Sequence, residues 1–232
     1  MIYDKVVEAE FLDRPNRFIA HVQLNGKEET VHVKNTSRCR ELLIPGAKLY
    51  LEDKSHIPGR KTKYSVISVY KDNVLVNIDS QAPNAVIAEA LLESRIEAFK
   101  NISLLKREVT FGSSRFDIYM EQGQQRCLIE VKGVTLERDG VAAFPDAPTE
   151  RGARHVKEMA EAVETGYRGA IMFLIKMKKP DRFTLNWRMD PAFAEAVCLA
   201  KEKGVEVMAY DSIVRKDEIT IGKQLPIDLE TR

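Results

Sequence analysis

The sequence predicts a two-domain chain, with a small antiparallel β-barrel over about residues 1–80 and an α/β domain over about 81–232. Three observations predict it. Apolar–polar alternation, broken by turn residues, fills the first part. The hydrophobic period then lengthens from two to three and four residues at about Pro83. Further on, Gly169-Ala170-Ile171-Met172-Phe173-Leu174-Ile175 forms a continuous apolar run between two helical patterns, as a strand buried on both faces requires.

The barrel strands follow in order. Phe18–Leu24 alternates, Asn25-Gly26 is a strong hairpin turn, and Thr30–Val33 is the return strand. Pro45-Gly46 turns the chain into Ala47–Leu51. A basic loop around Pro58-Gly59-Arg60-Lys61 leads into Tyr64–Val69, and Asn73–Ile78 completes the set. The break at Ser80–Asn84 separates the domains. An amphipathic helix is predicted over about Pro83–Phe99 on the spacing of Ile87, Leu91, Leu92, Ile96 and Phe99. Three strands follow, Leu105–Phe111, Arg115–Met120 and Arg126–Lys132. Thr149 is placed to cap a second helix that ends at Gly166. Asp190-Pro191 opens a last helix that stops at Gly204, and Val205–Tyr210 is the final strand.

Composition excludes several classes. A hydrophobic fraction of 44% and a charged fraction of 31% describe a globular chain rather than a disordered one. No apolar run approaches the roughly 20 residues of a bilayer span. The charged start Met1-Ile2-Tyr3-Asp4-Lys5 is unlike a signal peptide. Cys39, Cys127 and Cys198 are odd in number and widely spread, so buried thiols and a cytoplasmic location are expected. Net charge is only +1, so any surface for a polyanion must be local. Candidate clusters are Arg38/Arg40, Arg60/Lys61/Lys63, Arg151/Arg154/Lys157 and Lys176/Lys178/Lys179/Arg182.

The chemistry is concentrated in the hairpin between Arg115 and Lys132. With the turn centred near Gly123, Asp117 and Glu130 face one another. Facing Cβ atoms lie about 4.5–5.5 Å apart, so two carboxylates there can share a metal ion. Alternation puts Phe116, Ile118, Met120, Cys127, Ile129 and Val131 on one face, and Arg115, Asp117, Glu130 and Lys132 on the other. Two facing acids repel, and a hard divalent cation compensates them. Such a cation with Lys132 beside it suits phosphodiester hydrolysis. Glycoside hydrolysis is the competing use of two acids. It is disfavoured because Lys132 is expected to hold both acids ionised, leaving no proton donor. Glu93 and Glu97, on the preceding helix, are candidate additional acids. Arg151 and His155 share a helix face near an N-terminus, where anions are favoured.

Asp117 and the tripeptide Glu130-Val131-Lys132, in an α-β-β-β-α-β order, resemble the PD-(D/E)xK nuclease superfamily. The chain resembles more narrowly the sugar fermentation stimulation protein A family. That likeness is carried by Arg17-Phe18-Ile19-Ala20, His32-Val33-Lys34-Asn35-Thr36, Glu41-Leu42-Leu43-Ile44-Pro45-Gly46 and Ser114-Arg115-Phe116-Asp117. It continues in Ile129-Glu130-Val131-Lys132-Gly133-Val134-Thr135-Leu136 and in Phe144-Pro145-Asp146-Ala147-Pro148-Thr149-Glu150-Arg151-Gly152-Ala153-Arg154-His155. The resemblance implies an OB-like N-terminal barrel followed by a PD-(D/E)xK nuclease-like α/β domain, and binding or cleavage of DNA and of RNA. It implies Mg²⁺ or Mn²⁺ held by Asp117, Glu130 and the Val131 carbonyl, with Glu93 or Glu97 as the helix-one acid and Lys132 as the catalytic lysine. Nucleic-acid contacts are expected at Asn35, Arg38, Arg60, Lys61, Lys63, Arg151 and His155. Ser37 departs from the family, which usually has glycine there. The other reading is a DNA-binding regulator of sugar fermentation genes with little or no cleavage.

Overall fold

The computed structural model describes residues 1–35, 37 and 39–230. Its first six strands are β1 (Val6–Asn16), β2 (Ile19–Leu24), β3 (Lys27–Val33), β4 (Lys48–Asp53), β5 (Tyr64–Lys71) and β6 (Val74–Asn77). They run in the order β3-β2-β1-β4-β5-β6, and a parallel β3–β5 pairing closes the first five into a barrel. The turn between β2 and β3 is Asn25-Gly26, both at positive φ, as the hairpin signal requires. Strand β1 is absent from the sequence reading. It pairs with both β2 and β4, and register shifts between Phe11 and Asp13 and between Asp13 and Asn16 let it bend between them. Those bulges are what erase a clean alternation.

The second part contains α1 (Ala82–Leu92), β7 (Leu104–Phe111), β8 (Ser114–Gln122), β9 (Gln125–Val134), β10 (Glu137–Arg138), β11 (Val141–Phe144) and α2 (Glu150–Glu164). It continues with β12 (Arg168–Ile175), β13 (Arg182–Leu185), α3 (Pro191–Glu202), β14 (Glu206–Arg215), β15 (Glu218–Gln224) and β16 (Ile227–Asp228). A six-stranded sheet has the order β15-β14-β12-β9-β8-β7, with β9, β12 and β14 mutually parallel. One face packs α1 with Val86, Ile87 and Leu91. The other packs α2 and α3 with Val156, Met159, Phe193 and Val197. A small second sheet, β10-β11-β13-β16, lies beside that face, and its Phe183 stacks on Phe173 at 4.3 Å between ring centroids.

The first helix is shorter than predicted. It stops at Leu92 because Ser94 takes a left-handed φ of 55° and the chain folds back through Arg95 N–H to Ala90 O at 2.8 Å. Ile96 and Phe99 are still buried, but from the loop that follows, whereas Leu92 is 65% exposed. The other two helices open where their caps predict. Thr149 Oγ1 accepts from Gly152 N–H at 3.1 Å, and Asp190 Oδ1 from Phe193 N–H at 2.9 Å. Among the described residues no helix is long and apolar enough to cross a membrane.

Candidate active site

Strands β8 and β9 pair with Gln122 opposite Gln125 and Ile118 opposite Ile129, so the numbers of facing residues sum to 247. Asp117 and Glu130 fall next in that register, where the paired ladder ends. Instead of a ladder bond, Asp117 Oδ2 accepts the Val131 N–H at 2.8 Å. Its Oδ1 accepts Nδ2 of Asn84, from the first turn of α1, at 2.7 Å. This departure from regular pairing corrects the predicted face of Phe116. Ile118, Met120, Cys127, Ile129 and Val131 pack together on the α1 side, but Phe116 packs on the α2 side, 6.0 Å from the His155 ring.

Glu130 reaches toward α2. Its Oε1 accepts Lys132 Nζ at 2.5 Å and meets His155 Nδ1 at 3.0 Å. Arg151 Nε donates to His155 Nε2 at 3.3 Å. A ring nitrogen that accepts carries no proton, so this chain of contacts puts the imidazole proton on Nδ1, facing Glu130. Glu130 Oε2 is buried and has no hydrogen-bond partner among the described residues. Asp117, Glu130, Lys132, Asn84, Arg151 and His155 all line one cleft of about 300 Å³, with Thr149 and Gly152 from the N-terminus of α2 on its wall.

The two acids respond differently to this setting. Burial and the neighbouring Glu130 charge push the Asp117 carboxyl up, against the Val131 N–H, Lys132 and Asn84. Burial would raise Glu130 as well, but the His155 hydrogen bond and the Lys132 charge outweigh it and hold Glu130 below its ordinary value. Lys132 favours the charged form of both acids, but at Asp117 burial and the Glu130 charge outweigh it. Among the described residues no group of three or more His, Cys, Asp and Glu side chains is arranged to hold a metal. Two carboxylates in mutual repulsion, one with an orphaned buried oxygen, nevertheless fit a hard cation that keeps much of its own water.

Other expected site residues fall elsewhere. Glu93 sits at the C-terminal end of α1, 53% exposed and paired with Arg95 at 2.8 Å, and Glu97 pairs with Lys100 at 2.6 Å. Asn84 and Glu93 are nine residues apart on the axis, about 13 Å at helical rise, so neither acid joins the cleft. The residue of α1 that reaches Asp117 is Asn84, in its first turn. His155 is buried against Glu130 rather than offered to a phosphate, while Arg151 is exposed at the mouth. Arg60 is turned onto Thr62 O and Ser65 Oγ, and neither it, Lys61 nor Lys63 lines the cleft. Asn35 lines an adjoining chamber, with Oδ1 held by the Ser37 N–H at 2.9 Å. Arg38 lies outside the described residues.

Sequence reasoning missed Asn84, which reads only as part of a linker break. It missed Gly133 too. A Cβ there would lie 2.7 Å from Pro83 Cγ, so glycine is what lets the start of α1 approach β9.

Residues 12–78 match the family model described as the SfsA N-terminal OB domain, and residues 81–218 match the sugar fermentation stimulation protein RE domain. The chain is 60% identical over 232 residues to a sugar fermentation stimulation protein homolog of Alkaliphilus oremlandii (strain OhILAs), covering 98% of this chain and 99% of the relative. It is 48% identical over 229 residues to the homolog of Desulfitobacterium hafniense (strain Y51), covering 99% of each. Among solved structures, Pyrococcus furiosus SfsA in complex with Ca²⁺ superposes with a TM-score of 0.89 at 27% identity, over 98% of both chains.

Proposed function

The chain belongs to the sugar fermentation stimulation protein family, and on that premise we propose that it is a metal-dependent nuclease hydrolysing phosphodiester bonds in DNA or RNA. The observation that carries this reading is the buried, partnerless Oε2 of Glu130 beside Asp117, whose carboxyl burial and a like charge push up. Asp117 and Glu130, with the Val131 carbonyl, would hold Mg²⁺ or Mn²⁺. That the Pyrococcus relative was solved in complex with Ca²⁺ supports a hard, oxygen-seeking cation for this fold. The ion would polarise a phosphoryl oxygen and acidify a bound water.

This chain's own residues do the rest. Asn84 and the Val131 N–H fix both oxygens of Asp117, so its carboxylate cannot turn away. His155 fixes Glu130 through its Nδ1 proton, and Arg151 fixes His155. Lys132 brings an ammonium to the same cleft, where it neutralises charge that grows on phosphoryl oxygens in the transition state. The N-terminus of α2 adds a favourable dipole for a phosphate at the mouth.

The test is cleavage of labelled single- and double-stranded DNA and RNA with Mg²⁺, Mn²⁺ or chelator. Metal-dependent cutting is expected, falling on the order of 100-fold or more in Asp117→Ala and Lys132→Ala, while affinity stays within about threefold. Binding with no cleavage in either metal overturns the nuclease reading and leaves a DNA-binding regulator.

A further inference from the structure

The cleft at Asp117 does not end at the α/β domain. It shares Ser80, Asn84 and Val131 with a chamber of about 200 Å³ at the junction of the two domains. That chamber shares Ser37, Leu136, Ala143 and Asp146 with an outer cleft of about 800 Å³. The three form one groove, walled by the barrel at Asn35 and Ser37 and by the α/β domain opposite.

Its charge differs from that of the molecule. The linings hold seven Lys and Arg side chains against four carboxylates, whereas the whole chain has 36 against 35. Arg40, Arg138 and Arg188 in the outer cleft are exposed, and none is in an ion pair among the described residues, although Glu41 and Asp146 line the same cleft. Ion pairing elsewhere is common, so three unpaired arginines facing one cleft are a local surplus. At the junction Lys176 is 2% exposed, and among the described residues its ammonium makes one hydrogen bond, to Asp79 O at 3.3 Å. An ammonium has three donors, so the chamber holds a buried cation with unused capacity for an anion. Gly133 lines the same chamber, where a Cβ would touch Lys176 Cε at 3.4 Å.

We propose that this groove is the track of a single strand of nucleic acid, which runs from the Asp117–Glu130 cleft past Lys176 and out along Arg40, Arg138 and Arg188. The inference builds on the reading of that cleft as a phosphodiester site. A chamber of about 200 Å³ between two domains has no room for a duplex, whereas one sugar–phosphate backbone can reach into it. Spaced cations along a narrow groove are how proteins hold single strands without reading sequence.

The test is binding rather than cleavage, so it stands apart from the nuclease assay. The probe is a fluorescein-labelled oligothymidylate of about 20 nucleotides, titrated in chelator by anisotropy over a salt series. Arg138→Ala/Arg188→Ala is expected to weaken binding about tenfold and to lower the log–log salt slope by about 1.4, at about 0.7 per lost phosphate contact on a single strand. Lys176→Met is expected to lower it by about 0.7. Lys201→Ala/Lys203→Ala, at the C-terminal end of α3 away from the groove, is expected to bind as wild type. Should the arginine variants bind normally while the α3 variant fails, or should duplex bind as tightly with the same sensitivities, the track is wrong. Groove-dependent binding in a protein that cuts nothing would support the track and remove only the nuclease reading.

Discussion

Asp117 carries the sharpest conflict in the protein, because both of its oxygens are organised for an anion that burial and Glu130 disfavour. Glu130 escapes that conflict because Lys132 and His155 both serve its Oε1. Removing the charge at Asp117 while keeping its shape separates function from stability. In Asp117→Asn the side-chain carbonyl can still accept the Val131 N–H, and the Asn84 amide can rotate to accept from the new amide. The substitution is therefore expected to stabilise the metal-free fold, on the order of 1 kcal/mol, while it abolishes cleavage. Thermal melts in chelator check this. A variant that melts below the wild type would show that Asp117 is held comfortably ionised by its neighbours.

At the scale of elements, Asp190 joins two helices. Its Oδ1 caps α3 through Phe193 N–H at 2.9 Å, and its Oδ2 accepts the Thr149 N–H at 2.7 Å, just where α2 begins at the cleft wall. Asp190→Ala breaks both bonds. It is expected to destabilise the protein by about 2 kcal/mol and to loosen the end of α2 that presents Arg151, which chemical denaturation and cleavage rate would report together. A variant with unchanged denaturation midpoint would show that Asp190 ties nothing. Such caps are legible in sequence because their signals are local, and Thr149, Asp190-Pro191 and Gly204 all stand at helix ends. The β8–β9 register was legible for the same reason, since the turn at Gly123 fixes which residues face each other. What was not legible depends on distant partners. Strands β11, β13 and β16 pair in parallel across long sequence separations, and no local alternation announces so short a sheet. The helix-one acid was misread because the spacing ran on through Ser94, where the backbone turns left-handed and ends the helix. Asn84, at the opposite end of that helix, meets Asp117 across 33 residues of sequence, a contact only the fold reveals.

On the scale of the whole molecule, the barrel and the α/β domain are fastened by charges at their junction. Lys34 pairs with buried Asp79 at 2.6 Å, and Lys71 from the barrel shares buried Glu137 with Lys179, at 3.4 and 3.2 Å. Strand β12 continues into the same junction, where Lys176 O accepts the Asn77 N–H at 2.9 Å. Lys176 is the exception among these cations. Burial drives its ammonium down to about 8, against the opposing pull of Cys39, Asp79 and Asp146. The sign follows from proton linkage. Between about 8 and about 10.4 the unfolded chain holds a proton that the folded protein has released, so stability rises with pH across that window. Below it both states are charged, and the full cost of burying the ammonium is present. That cost is about 3 kcal/mol for a displacement of this size. Lys176→Met should therefore be the more stable protein at neutral pH by up to about 3 kcal/mol, with the gap closing as pH approaches 10. Cys127, pushed up to about 12 by burial, titrates with the opposite sign but is common to both proteins and cancels in the difference. Cys39, pushed up to about 11, feels the Lys176 charge and rises further in Lys176→Met, which closes the gap in the same direction. Urea denaturation midpoints of the two proteins at neutral and alkaline pH decide the matter. A gap that stays constant with pH would mean that Lys176 is buried without electrostatic cost. A cost that is real is one that a phosphate lodged beside the ammonium would relieve.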